Sequence, residues 1–146
     1  MFLGQLIDEC TTIQTYKKDS AEYTTKFSLS NQVNNKPSWV SENGQNAIWY
    51  IKDLDEWGAG VIEVLGTTFV ELRTTGGQGN SYPFDVPASK WEEWSNPDES
   101  SGSWKDVVVD EWSIKCTGVN FFKIGKSYLF KLFCKHFLNT FLAIIS

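Results

Sequence analysis

The side chains able to do nucleophilic or acid–base chemistry are unevenly supplied along this chain. It has one histidine, His136, and one arginine, Arg73. A catalytic nucleophile needs a base beside it and a group that orients the base, so residues 1–135 hold no Ser/His/Asp or Cys/His centre. Carboxylates are abundant, with 18 Asp and Glu. Pairs drawn from Glu63, Glu71, Asp85, Glu92 and Glu93 are the residue type used in glycoside hydrolysis. So many acids make chance pairs unavoidable, so we assign no catalytic residue and read the chain as a non-enzyme, with a paired-carboxylate hydrolase as the weakest alternative. No Cys-x-x-Cys or histidine pair supplies a zinc site. Asp53-x-Asp55-Glu56 and Asp106-x-x-x-Asp110-Glu111 are oxygen-rich, but neither has the spacing of a calcium loop. We read them as solvated charge, with no metal and no cofactor.

What remains is tryptophan beside carboxylate. Trp57 follows Asp55-Glu56, Trp91 and Trp94 bracket Glu92-Glu93, and Trp112 follows Asp110-Glu111. An exposed indole can stack on a sugar ring while the acid accepts hydroxyl hydrogen bonds, or it can cage a cation. Trp57, Asp55, Trp91 and Trp94 are therefore the candidate ligand-binding residues, because they sit near turns. The competing assignment for any tryptophan is core, and it is our assignment for Trp39, Trp49 and Trp112.

Charge narrows the partner. Residues 1–116 carry 9 basic and 18 acidic side chains, a net −9, whereas residues 117–146 carry four lysines and no acid. An acidic body excludes nucleic acid, which is bound through clustered Lys and Arg. The remaining partner classes are a glycan or a protein.

The elements that must position these residues are strands. Thr11–Tyr16 is β-branched with apolar positions at period two. In Glu22–Leu29, Tyr23, Thr25, Phe27 and Leu29 share one face. Ala47–Lys52 is a central strand, with Ile48 and Tyr50 on one side and Trp49 and Ile51 on the other. We expect a turn at Trp57-Gly58-Ala59-Gly60, a strand over Val61–Leu65, and more strand in Thr67–Arg73 beyond Gly66. Thr74–Asn80 is glycine-rich, Ala88–Trp94 fits one helical turn or a short strand, Ser95–Ser103 is loop, and Lys105–Cys116 is the closing strand. Short strands punctuated by turns predict an all-β, small antiparallel sandwich or barrel over 10–116. The apolar segment 117–146 admits three readings: a transmembrane span weakened by Lys131, Lys135 and His136, a basic amphipathic helix on a membrane surface, or translated non-coding sequence. Cys10 opens the patterned region and Cys116 closes it. A bridge between them, with Cys134 left over, competes with three reduced thiols. Met1–Ile7 is apolar but lacks the basic start and the length of a signal peptide.

The order Lys36-Pro37-Ser38-Trp39, Ala47-Ile48-Trp49-Tyr50, Trp57, Thr75-Gly76-Gly77, Lys90-Trp91, Trp94, Trp104-Lys105 and Ile114-Lys115-Cys116 resembles a Trp-rich, cysteine-closed β-module of predicted secreted and cell-surface multidomain proteins. The resemblance spans about residues 10–116 and carries no residue-level site. It implies an extracellular or cell-surface, disulfide-tolerant binding module and favours the Cys10–Cys116 bridge; in an extracellular setting the chain is expected to be a fragment or to lack its true start. A non-catalytic recognition module is accordingly the expected function, and a structural spacer domain the alternative.

Overall fold

The computed structural model describes residues 9–96 and 101–119. The chain divides into two compact units, one of residues 12–117 and the other of the two chain ends taken together. Nine strands form one sheet: β1 (Cys10–Lys17), β2 (Lys26–Leu29), β3 (Trp39–Ser41), β4 (Asn46–Ile51), β5 (Glu56–Val61), β6 (Leu72–Thr74), β7 (Trp91–Ser95), β8 (Ser103–Asp106) and β9 (Trp112–Val119). Their order is β8-β7-β6-β5-β4-β3-β2-β1-β9, a meander in which only β9 leaves its sequence neighbour. The sheet is antiparallel throughout and curls into a half-barrel, so the expected all-β class holds as one curled sheet instead of two stacked ones.

Register decides which residues the curl encloses. Leu29, Trp39, Ile48, Ala59, Leu72 and Glu93 lie opposite one another in successive strands and so share one face. Tyr50 opposite Trp57, and Thr74 opposite Trp91, continue that face. It is the concave one: Lys17 of β1 reaches Glu93 of β7 at 2.8 Å, and the Trp91 and Trp112 rings meet at 5.3 Å. Trp39, Trp57, Trp91, Phe27, Ile13 and Ile48 are buried there at 1% exposure or less. Each tryptophan removes about 150–250 Å² from water, about 4–6 kcal/mol at ~25 cal/mol per Å² before conformational entropy is counted. The indole N–H groups of Trp91 and Trp112 have no hydrogen-bond partner among the described residues, a cost that the packing of the two rings must offset.

The opposite face is also covered over its centre. Ala47, Trp49, Ile51 and Val70 form a second buried cluster, joined by Val33, Val40, Ile62, Val64 and Trp104. Both sides of β4 are therefore buried, as its sequence predicts. The expected turn at residues 57–60 is instead the middle of β5. A Cβ on Gly58 would lie 2.6 Å from Ile51 Cδ1 and 2.7 Å from Val70 Cγ1, and one on Gly60 would crowd the Phe69 carbonyl and Trp49. These glycines let the 62–70 segment lie close over the strand, and the Trp49 indole donates to the Thr67 carbonyl to hold it. The chain turn falls at Lys52–Asp55, where Asp55 takes a φ of 53°. Two further expectations are corrected. Ile62–Val64 is a 3-10 turn, and Lys105–Cys116 is two strands separated by a 3-10 turn at Val109–Glu111. Cys10 and Cys116 are both disulfide-bonded, forming the expected bridge. Cys134, His136 and the proposed membrane contact lie outside the described residues.

Candidate functional site

The four expected ligand-binding residues do not assemble. Trp57 and Trp91 are each 1% exposed, so neither presents a ring face to a ligand, and both belong to the concave core. Trp57 packs on Trp39 and Tyr50 at 6.0 and 5.7 Å and donates its indole N–H to the Ser81 carbonyl at 2.6 Å. That bond fastens the segment carrying Phe84, whose ring meets Trp39 edge-on at 6.2 Å. Asp55 is exposed, but its carboxylate accepts from the Tyr50 hydroxyl at 2.9 Å, and its carbonyl accepts from the Gly79 amide. The hydrogen bond to Asp55 raises the Tyr50 pKa. Of the three candidate tryptophans, Trp94 alone is open to solvent, at 45%.

The acid next to Trp57 has a structural task. Glu56 is buried, and its carboxylate accepts from Thr74 Oγ1 at 2.7 Å, the Gly77 amide at 2.8 Å and the Gln78 amide at 2.9 Å. Gly76 and Gly77 adopt φ of 83° and 74°, the left-handed conformation that turns successive amides towards one anion. The glycine-rich run is thus a cradle for this chain's own carboxylate. Lys36 completes the clamp, donating to the Gly79 carbonyl at 2.7 Å while its ammonium lies 4.7 Å from the Tyr50 ring centre.

The exposed tryptophan opens onto different material. On the convex face, Leu54, Val61, Phe69, Arg73, Trp94 and Trp104 are prominent in the lining of a groove of about 740 Å³. Trp94 and Trp104 lie directly opposite in β7 and β8, with rings 5.4 Å apart at 67°. The Arg73 guanidinium sits 3.9 Å above Trp104, and its Nε donates to Glu92 at 2.6 Å. The charge is thereby spread over an indole and neutralised by a half-buried acid. Chain returning to β8 passes against Trp94 at Gly102, where a Cβ would run into the indole. Phe69, 74% exposed, has no such cover.

Three of the five acids considered for hydrolysis have a structural partner. Glu92 holds Arg73, Glu93 holds Lys17, and Glu71 accepts from the Tyr23 hydroxyl at 2.8 Å. Burial, and then the Glu71 charge and hydrogen bond, push the Tyr23 pKa far up. Among the described residues no three His, Cys, Asp or Glu side chains group as metal ligands.

Sequence reasoning found Trp94 but not Phe69, Trp104, Leu54 or Arg73. The available signal was the run Trp91–Ser95, a polar connection, and Ser103–Asp106 as a hairpin. Reading Ser95–Ser103 as loop and Lys105 as the start of the next strand concealed the pairing of the two tryptophans. No family model, curated protein or solved structure matches this chain.

Proposed function

We propose that this chain is a non-catalytic extracellular recognition module that binds a protein ligand in the convex groove. The observation that carries it is convergence. Eight large apolar side chains are exposed among the described residues, and four of them, Leu54, Val61, Phe69 and Trp94, line this one groove. Singly scattered apolar residues need no explanation, whereas a contiguous set does. The aliphatic share of the lining favours a polypeptide over a sugar, since a sugar site needs free acceptors around its stacking ring, and Glu92 is already taken by Arg73. The disulfide supports an extracellular setting, and no described helix is long and apolar enough to cross a membrane.

Selection of a displayed random dodecapeptide library on the purified protein tests the reading. Peptides should be enriched whose binding is lost with Phe69→Ser or Trp94→Ala. A glycan array signal removed by Trp94→Ala would replace the protein ligand with a sugar. Failure of both would leave a structural spacer domain.

A further inference from the structure

We infer that the ligand joins the sheet as a tenth, antiparallel strand on the open edge of β8. The inference rests on the groove reading and specifies the ligand's conformation and charge. β8 ends the strand order, and no described residue pairs with its outer side. Which backbone groups face outward follows from the ladder. The Val107 amide donates to the Trp91 carbonyl, and the Trp94 amide donates to the Glu71 carbonyl. With Glu93 opposite Lys105 and Ser95 opposite Ser103, the N–H and C=O groups of Ser103 and Lys105 point to β7. Those of Trp104 and Asp106 point away from it. The strand's open edge is thus centred on Trp104, whose side chain lines the groove.

An added strand has its side-chain directions imposed by this register. The residue opposite Trp104 falls on the convex face, beside the indole at the groove rim, and is apolar. The residue opposite Asp106 falls on the same face and is basic. The residue between them lies opposite Lys105 and is acidic. Charge around the edge supports this occupant over a second copy of the chain. The described residues 91–96 and 101–111 contain five acids and one lysine. Glu92, Glu93 and Glu111 are held in ion pairs, whereas Asp106 and Asp110 are exposed and outside the described ion pairs. Two copies would oppose like charge, whereas a basic-apolar strand neutralises it. The short length of β8 and its two charged residues discourage indiscriminate pairing, so a ligand must match them.

The probe is the acetylated, amidated peptide Lys-Glu-Ile-Thr-Val, with Ile opposite Trp104 and Lys opposite Asp106. In the intact protein, saturating peptide should slow hydrogen exchange at the Trp104 and Asp106 amides and leave Ser103 and Lys105 unchanged. N-methylation at Ile, whose N–H would face β8, should weaken binding about tenfold or more, the loss of one interstrand bond plus a steric block. N-methylation at Thr, facing away, should change it less than about threefold. Asp106→Pro removes an outward donor without touching the ladder to β7 and should weaken binding more than Asp106→Asn. If that variant fails to fold, the N-methyl pair still decides in the unaltered protein. Equal binding of both N-methyl peptides, no binding up to millimolar peptide, or a peptide-free dimer protected at Trp104 each overturns strand addition. If Trp94→Ala still abolishes binding of library-selected peptides, the groove reading survives that failure. N-methyl alternation that is insensitive to Phe69→Ser and Trp94→Ala would sink the groove and keep the edge.

Discussion

Two pairs of tryptophans are separated by one sheet and serve opposite ends. Trp91 and Trp112 meet at 5.3 Å on the concave face, and Trp94 and Trp104 meet at 5.4 Å on the convex one. Both pairs have acids beside them in sequence, and both use β7. The first pair is 2% exposed or less, whereas Trp94 is 45% exposed. Residue type and neighbours are nearly the same, so what separates core from site is strand parity. Trp91 and Trp94 are three apart, which in a strand puts them on opposite faces.

The largest effect that could break this contrast is at the core. Trp57→Ala should cost about 3–5 kcal/mol, read by chemical denaturation, and a loss under ~1 kcal/mol would mean that Trp57 is not part of the packing. Reducing the Cys10–Cys116 bridge should cost about 2–5 kcal/mol, measured by denaturation with and without reductant. Gly58→Ala pushes a methyl against Ile51 and Val70 and should cost about 1–3 kcal/mol as overpacking. An unchanged midpoint would show that the covering segment yields freely. Trp94→Ala should cost only about 1 kcal/mol, the scale of one aromatic pair, while removing ligand binding.

Titration sharpens the same contrast at its smallest scale. Tyr23 has its pKa raised in the fold, first by burial and then by Glu71, so the folded state keeps a proton that the unfolded chain releases near pH 10. Its contribution is fully present below that pH and is lost progressively as pH rises above it. Tyr23→Phe should therefore flatten the alkaline decline of stability, and an unaltered slope would dissociate Tyr23 from it.

Much of the fold was legible because alternation in β4 and the first two strands is local. Ile48 against Trp49 needs no knowledge of neighbours to be placed on opposite faces. β5 was hidden because Gly58 and Gly60 look like turn residues, and their real cause, the approach of Val70, lies in another segment. The site was half legible for the same reason. Trp94 could be found by its setting, but Trp57 and Trp91 could not be recognised as buried until pairing register assigned their faces. Glu56 shows the limit plainly: an acid beside a tryptophan looks ready for a ligand, and its partners are amides some twenty residues on.

The position of β9 has a kinetic consequence. From β1 to β8 every strand pairs with its successor, so this part of the sheet can grow hairpin by hairpin with little loop-closure cost at each step. β9 alone must find a partner about a hundred residues away. It is the strand expected to dock last, seating Trp112 on Trp91 and bringing Cys116 within reach of Cys10. Oxidation would then act as a seal on a finished topology, not as a guide to it, and Trp112 should have a low φ-value against a higher one at Ile48.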